Sequence, residues 1–267
     1  ETSFFGSLAT TERAKINTDG TLGTWTATTS MGTARDGHTS VVANGYVYAI
    51  GGYAGAYIAT TEKAKINADG SLGAWSATTS MGTNRGWLTS AVANGYVYAM
   101  GGWDSSFTTL ATTERAKLNS NGTLGAWTTT ASMGTARSDL TSVVTNGYIY
   151  ALGGGGVTTE YAKLNTDGTL GAWSATTSMR TARGGHTSVT ANGYVYAIGG
   201  GGPLASTEYS STQRVKIGGS LDLIGLGGSN LADGDGTGGG NGSTGGALTA
   251  GNTNIVGMLQ VAGNANI

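Results

Sequence analysis

The sequence predicts an all-β protein built from a repeated unit of short strands. The stretch from His38 to Gly52 holds two strand-like segments around Asn44-Gly45, a pair that suits a type I′ turn because both residues tolerate positive φ. That stretch returns three times, with its turn at Asn94-Gly95, Asn146-Gly147 and Asn192-Gly193. A period near 50 residues, made of short strands and turns, predicts a β-propeller of four-stranded blades.

Each unit divides into four predicted strands, which we give for the first complete one. The first two strands are 38–43 and 46–50, and a pair of glycines follows them. A loop of varying length leads to a third strand at 60–67, and an Asp-Gly turn leads to a fourth at 72–78. The segment 80–83 then crosses to the next unit. All four strands alternate only weakly between apolar and polar residues, which is typical of strands covered on both faces.

The chain begins and ends inside a unit. It first supplies a third and a fourth strand, then three whole units, then strands one to three of a last unit that ends near Lys216. Residues 1–218 are therefore predicted to form about four blade equivalents of a propeller. A ring of four blades and a larger ring with further sequence upstream both fit. The larger ring is favoured, because four blades make a tight ring.

Three residue types recur with the same spacing as the turns. A tryptophan stands at Trp25, Trp75, Trp127 and Trp173. An arginine stands at Arg35, Arg85, Arg137 and Arg183. A Thr-Glu step places a glutamate at Glu12, Glu62, Glu114, Glu160 and Glu208.

These motifs resemble the kelch repeat. The matching features are the Arg35-Asp-Gly-His38 start, the glycine pair after the second strand and the downstream tryptophan, and they cover roughly residues 1–216. The resemblance implies a kelch-type β-propeller. The tyrosine usual in the third strand of that family is missing from several repeats, where Ala14, Ala64 and Ala116 stand near its place.

The repeated tryptophans and charged residues are predicted to be structural. One tryptophan per unit suits packing between blades better than it suits a single ligand site. Glu12 shares a strand face with Ala14, since side chains two residues apart point the same way, and an inward carboxylate needs a partner. The repeat arginines supply one per unit. We therefore predict that they pair, inside or between blades, with Glu62, Glu114 and Glu160.

The loop after the glycine pair and the crossing between units fall on one face of the predicted ring, and this face varies. Trp87 stands where other units have Gly37, Asp139 and Gly185. Loops on a rigid scaffold often carry binding sites, and aromatic rings beside carboxylates suit sugar rings. The candidate ligand-binding residues are Trp87, Trp103, Asp104, Asp139, Asp36, Tyr53, Tyr57 and Phe107. The alternative is that these loops vary freely and bind nothing.

Composition excludes several classes of function. A net charge of −1 without a Lys/Arg cluster argues against nucleic acid and anionic membrane surfaces, and no apolar run is long enough for a membrane span. Without cysteine there is no disulfide, no thiolate metal site and no Cys–Tyr crosslink of the kelch-class copper oxidases. The Asp-Gly turns and the stretch 233–241 offer too few oxygens for calcium. We expect neither a metal nor a cofactor.

The last residues change in character. Residues 219–246 consist mostly of Gly, Ser, Asn, Asp and Thr, which predicts a flexible linker. Residues 247–267 regain apolar side chains and are predicted as a short β tail. This tail is similar to the beginning of the shafts of phage tail fibres and bacterial surface fibres.

These observations favour a non-enzymatic extracellular binding module of a phage fibre or bacterial surface protein, with a glycan or protein receptor on a cell surface as its partner. One alternative is a structural subunit of an extracellular filament, which assembles through its terminal strands. A third, weaker hypothesis is a glycosidase that uses two of the acids Asp36, Asp104 and Asp139. Serine-hydrolase and zinc motifs are absent from the sequence, and His38 and His186 occupy matching repeat positions, which favours structural roles for both.

Overall fold

The computed structural model describes residues 6–202 and, for the backbone only, residues 212–216. These residues contain seventeen strands and no helix. None of the described segments therefore forms an apolar helix of the length that a membrane crossing requires. The predicted linker at 219–246 and the predicted tail at 247–267 lie outside the described residues.

The strands form five antiparallel sheets, in which strands that follow each other in the chain lie side by side. Sheet 1 contains β1 (Thr11–Arg13) and β2 (Thr26–Thr28). Sheet 2 contains β3 (Thr39–Ala43), β4 (Tyr46–Ile50), β5 (Thr61–Lys65) and β6 (Ser76–Thr78). Sheet 3 contains β7 (Thr89–Ala93), β8 (Tyr96–Met100), β9 (Thr113–Lys117) and β10 (Thr128–Thr130). Sheet 4 contains β11 (Leu140–Thr145), β12 (Tyr148–Gly153), β13 (Thr159–Lys163) and β14 (Ser174–Thr176), and sheet 5 contains β15 (Thr187–Ala191), β16 (Tyr194–Ile198) and β17 (Thr212–Lys216).

The turn between the first two strands of each unit has the expected geometry. Asn44 and Gly45 have φ of 50° and 77°, and a type I′ turn requires positive φ at both of these positions. The Asp-Gly turn before the fourth strand is held by its own side chain. The Asp69 carboxylate accepts hydrogen bonds from the backbone N–H of Ser71, at 2.9 Å, and from the Ser71 hydroxyl.

The outer strands are shorter than the sequence predicts. The third strand of sheet 2, predicted at 60–67, is Thr61–Lys65, and the fourth, predicted at 72–78, is Ser76–Thr78. Leu72 makes only an isolated bridge, and the N–H of Gly73 donates to the carbonyl of Lys65 at 2.8 Å. Leu72 and Gly73 therefore belong to the turn, and the fourth strand begins only at Ser76.

The third strand of sheet 5 corrects one expectation. In the register of that sheet Ala197 lies opposite Gln213, as Ala49 lies opposite Glu62 in sheet 2. The glutamate position of the last unit is therefore occupied by Gln213 and not by Glu208, which lies outside the described residues. More residues separate β16 from β17 than separate the equivalent strands of the other units, so the Thr-Glu step precedes β17 in the sequence.

Each complete sheet is held at one end by a buried arginine–glutamate pair. In sheet 3 the Arg85 guanidinium lies 2.8 Å from the Glu114 carboxylate, and both side chains are buried. Arg85 also donates to the carbonyls of Gly101 and Thr112, which follow β8 and precede β9. The second oxygen of Glu114 accepts the N–H of Gly82, in the crossing from sheet 2. One pair thus joins two strands and the incoming chain.

The same arrangement recurs in the neighbouring sheets. Arg35 pairs with Glu62 in sheet 2, and Arg137 pairs with Glu160 in sheet 4. The three glutamates that the sequence pairs with repeat arginines are the three that the structure pairs in this way. Arg183 is also buried and donates to the carbonyl of Gly199.

Neighbouring sheets pack through the repeated aromatic residues. The Tyr48 hydroxyl donates to the carbonyl of Gly122, in the next sheet, at 2.8 Å. In the other direction, the Trp127 indole N–H donates to the carbonyl of Thr79 in the crossing from sheet 2, also at 2.8 Å. Trp75 and Trp173 make the equivalent bonds, so these three tryptophans lie at contacts between units. Trp25 is instead 59% exposed.

The apolar core lies between sheets rather than inside one. One buried cluster joins Tyr48 and Ile50 of sheet 2 to Val97 and Leu118 of sheet 3. The first strands of successive sheets are neighbours, and the hydroxyls of Thr39 and Ser90 lie 2.7 Å apart. Each sheet therefore depends on the next one to bury its faces.

We expect Glu114→Ala to destabilise the protein by about 3–5 kcal/mol, because it leaves the Arg85 guanidinium buried without a counter-charge. Urea unfolding followed by tryptophan fluorescence measures the effect. Glu12→Ala is the matched control. Glu12 stands at the same repeat position but is exposed and makes no ion pair within the described residues, so we expect a change within about 0.5 kcal/mol. Equal effects of the two substitutions would contradict the role of the pair.

The pair in sheet 4 predicts a pH dependence. Burial raises the pKa of Glu160, but hydrogen bonds from Arg137 and from the N–H of Gly134 outweigh burial, so the pKa lies below its ordinary value. Such a carboxylate stabilises the folded state above its unfolded pKa, and this contribution is lost as pH falls through the folded pKa. At neutral pH the unaltered protein should have a higher free energy of unfolding than Glu160→Gln. We expect this difference to shrink as pH falls from about pH 5 to about pH 3, as measured by urea unfolding. A difference that stays constant would refute this.

Candidate functional site

The loops and crossings of the first three units surround a cavity of about 650 Å³. Seven of the eight predicted ligand-binding residues line it, together with Gly6 and Ser7. The seven are Asp36, Tyr53, Tyr57, Trp87, Trp103, Phe107 and Asp139. Asp36 and Asp139 are 103 positions apart in the chain, yet they share one cavity because both follow the repeat arginine, in crossings that lie on the same side.

Backbone bridges fix the position of each loop against its crossing. Asp36 and Tyr53 exchange two backbone hydrogen bonds, at 2.8 and 3.1 Å. Gly86 and Trp103 make the same pair of bonds in the next unit, also at 2.8 and 3.1 Å. The Tyr53 and Trp103 side chains therefore start from rigid backbone, although both lie in loops.

One residue per unit adopts a left-handed backbone and hydrogen-bonds to its counterpart in the next unit. These four residues, which we call the left-handed ladder, are Gly37, Trp87, Asp139 and Gly185, with φ of 56°, 52°, 53° and 62°. The N–H of Trp87 donates to the carbonyl of Gly37 at 2.7 Å. Asp139 donates in turn to Trp87, and Gly185 to Asp139, both at 2.9 Å.

Two positions of the left-handed ladder carry strained residues. Glycine adopts positive φ freely, whereas a bulky side chain there costs on the order of 1 kcal/mol. The first and last units use glycine, but the two middle units carry Trp87 and Asp139, and both side chains line the cavity. Backbone strain is more frequent at functional sites than elsewhere, which makes this cavity the candidate site.

Tyr57 is the centre of an aromatic cluster. Its ring meets those of Tyr53, Trp87 and Phe107 edge-on, with centroid distances of 5.6, 5.8 and 5.6 Å. A Cβ atom at Gly86 would lie 2.8 Å from the Tyr57 ring, so glycine is required for this approach. Tyr57 is only 8% exposed, whereas Phe107 is 69% exposed. Tyr57 therefore supports the rings around it, and Phe107 stands at the rim.

Two carboxylates lie among these rings. Burial raises the pKa of the Asp139 carboxyl, and the Ser138 and Trp103 side chains nearby only partly oppose this rise. Asp36 accepts a hydrogen bond from the Ser7 hydroxyl at 2.9 Å. Burial also raises the pKa of Tyr57, and the negative charges of the nearby aspartates add to this. The residues that line the cavity include no Lys, Arg or His.

Asp104 is the predicted site residue that the structure does not place on the cavity. Its carboxylate accepts the backbone N–H groups of Ser106 and Thr108, at 2.8 and 2.9 Å. It thereby shapes the loop that presents Phe107, which has a φ of 57°. The Asp-x-Ser spacing is the signal that identifies such a turn from sequence. Gly6 and Ser7 are the lining residues that the sequence analysis missed, because no motif marks either of them.

The described residues hold no cluster of three side chains suited to a metal. Burial, together with the charge of Arg183, lowers the pKa of His186 to about 4, so this ring is neutral at physiological pH. Its Nε2 atom lies 3.0 Å from the Thr141 hydroxyl of sheet 4. This contact fits the structural role that the repeat position predicts for His186.

Sheet 1 exposes apolar side chains that its counterparts bury. Ile16 and Leu22 are 74% and 55% exposed, whereas the equivalent Leu118 and Leu124 of sheet 3 are 9% and 3% exposed. We call Ile16, Leu22 and Trp25 the open face of sheet 1. At the other end of the described chain, Val189 and Ile198 of sheet 5 are exposed as well.

Comparisons with known proteins identify a similar fold and no family. No family model matches the chain, and no curated protein matches it. Among solved structures 228 chains match, one of which is the structure of YjhT. That match has a TM-score of 0.55 and 16% sequence identity, and covers 70% of this chain and 64% of YjhT. This chain thus spans less than two thirds of YjhT, and at this identity the likeness concerns the fold alone.

We expect Asp139→Asn to stabilise the protein at pH 7, because the amide keeps the shape of the side chain and removes a charge that burial disfavours. A carboxyl group whose pKa is higher in the folded than in the unfolded state makes the folded protein less stable as pH rises through these two pKa values. The Tm of the variant should therefore increasingly exceed that of the unaltered protein as pH rises from about pH 4, in thermal unfolding experiments. Asp69→Asn is the control, since hydrogen bonds from Ser71 lower the pKa of Asp69 and predict no gain. A loss of stability in Asp139→Asn would contradict the assignment.

Proposed function

We propose that the chain is a kelch-type β-propeller, or part of one, and that its loop cavity binds carbohydrate. The five repeated sheets, the contacts between their first strands and the buried pair in each complete sheet support the propeller. The likeness to YjhT supports it at the level of the fold. The closure of the ring is part of the proposal.

One observation carries the proposed binding. Aromatic rings and two carboxylates line a single cavity, and two of those residues, Trp87 and Asp139, keep a backbone conformation that glycine would adopt without strain. Indole and phenol rings stack on the apolar faces of sugars, and carboxylates accept hydrogen bonds from sugar hydroxyls. The volume of about 650 Å³ falls in the range of small-molecule sites.

The site is proposed to bind its ligand without cleaving it. Asp36 accepts a hydrogen bond from the Ser7 hydroxyl at 2.9 Å, so this carboxylate is held in place as an acceptor. The low charge and the abundance of Thr, Ser, Asn and Gly support a location on a cell or virion surface, as an adhesion module. Glycan fragments released by the protein would favour the glycosidase hypothesis instead.

The test is a glycan array followed by calorimetry with the best ligand. We expect Trp87→Ala and Trp103→Ala each to weaken binding by about tenfold or more, a loss of about 1.4 kcal/mol, because a stacking surface is removed. Trp25→Ala is the matched control, since Trp25 is exposed but lies away from the cavity. Unchanged affinity in both cavity variants, or an array without any bound glycan, would overturn the proposal.

A second candidate function is a filament subunit, and the open face of sheet 1 favours it. Inside the chain, the equivalents of Ile16 and Leu22 pack against the preceding sheet. In sheet 5, Val189 is 48% exposed, whereas its counterpart Val143 is 7% exposed. A second copy that places its sheet 5 against this open face would repeat the internal contact between sheets. Such a head-to-tail contact does not have to close, and it then generates a filament.

Sedimentation velocity over a range of concentrations tests this assembly. We expect association that rises with concentration and that Leu22→Lys abolishes, because a charge is placed in the apolar contact. Phe107→Lys is the control, since Phe107 is as exposed as these residues but lies at the cavity rim. A monomer at every concentration would exclude the filament and leave the binding module untouched.

A further inference from the structure

We propose that the cavity selects glycans that carry a protonated amino group over neutral and acidic glycans. This inference rests on the proposed function, and it names the ligand class of the same site. It follows from the sign of the charges at the cavity and from the rings that surround them.

The charges that face the cavity are all negative. Asp36 and Asp139 line it, and the charge of Asp104 acts with theirs on the Tyr57 hydroxyl. No basic side chain lines the cavity to balance them. The nearest repeat arginine of this unit, Arg35, is buried and already paired with Glu62. An acidic sugar would therefore meet like charges, whereas an ammonium group would meet opposite ones.

The aromatic rings act in the same direction. The face of an indole or phenol ring carries partial negative charge and attracts a cation within about 6 Å of its centre. Tyr53 and Trp87 lie side by side in the wall, with ring centroids 6.4 Å apart. Rings that stack on a neutral sugar therefore bind an aminated sugar more strongly, provided that the amine reaches one of the carboxylates.

Asp139 is the carboxylate best suited to hold the amine. Its side chain lines the cavity in the same wall as Trp103, and a carboxylate has about four acceptor positions, which leaves room for an ammonium group. Burial disfavours the charge of Asp139 in the empty cavity. A bound cation would offset the cost of burying the charge of Asp139, and this gain would add to the free energy of binding.

The test compares three oligosaccharides of equal length that differ in charge. A glucosamine tetramer, an N-acetylglucosamine tetramer and a galacturonic acid tetramer are titrated into the protein by calorimetry at pH 6. We expect the glucosamine tetramer to bind about tenfold or more tightly than the acetylated one, and the acidic one not to bind. Since charges drive this difference, it should narrow when salt is raised from about 0.05 M to about 0.5 M.

Two variants separate charge from stacking. Asp139→Asn should remove the preference for the amine, so that the glucosamine and acetylated tetramers bind with equal affinity, whereas Trp87→Ala should weaken the binding of both and leave the preference in place. Because Asp139→Asn is expected to be more stable than the unaltered protein, a loss of preference is not a loss of folding. Equal affinities for the glucosamine and acetylated tetramers, or tighter binding of the acidic one, would overturn the inference.

The failure of this inference is distinguishable from the failure of the proposed function. Neutral glycans that bind through Trp87 without any preference for an amine would refute the inference alone. Free lysine that binds as tightly as the glucosamine tetramer would refute the carbohydrate proposal, since the amine would then account for the whole affinity. Binding of the glucosamine tetramer and not of lysine supports both.

Discussion

The buried arginine–glutamate pair is the constraint on which the rest of each unit depends. Replacing such a pair by apolar residues is often neutral or stabilising, so its importance here lies in position. Arg85 contacts the end of one strand, the approach to the next and Glu114, which in turn binds the incoming crossing. Three segments of chain, namely the crossing, the end of β8 and the start of β9, therefore meet at Arg85. These contacts therefore also fix the position of the residues that follow each arginine, such as Trp87.

This constraint explains how loops form a wall with a fixed shape. The left-handed ladder joins the crossings of neighbouring units by backbone bonds, and the bridges at Tyr53 and Trp103 tie each loop to its own crossing. The backbone is thus settled without help from the side chains at Trp87 and Asp139. Those two positions can therefore differ in side chain without a change of the backbone bonds, and the proposed binding function makes use of them.

The sequence carries much of the fold because its signals are local and repeated. Asn44-Gly45 favours one turn type, which made the first two strands of each unit predictable. The repeat also places distant residues such as Asp36 and Asp139 on one side, so most of the cavity wall was predictable. The rest depends on lengths and contacts that no motif encodes. The last unit has more residues before β17, so Gln213 stands at the position where a glutamate was expected. The turn at Asp104 holds its carboxylate away from the cavity. Ser7 takes its place only through contact with Asp36.

The left-handed ladder also bears on how such a site evolves. Its bonds run from backbone to backbone, so duplication, deletion or exchange of a whole unit preserves them whatever side chain the unit brings. Near-identical units favour such exchanges during replication and recombination. A lineage therefore acquires a new combination of wall residues in one genetic event, with the buried pairs intact. Under the proposed function, ligand preference would change in blocks of about 50 residues, the length of one repeat.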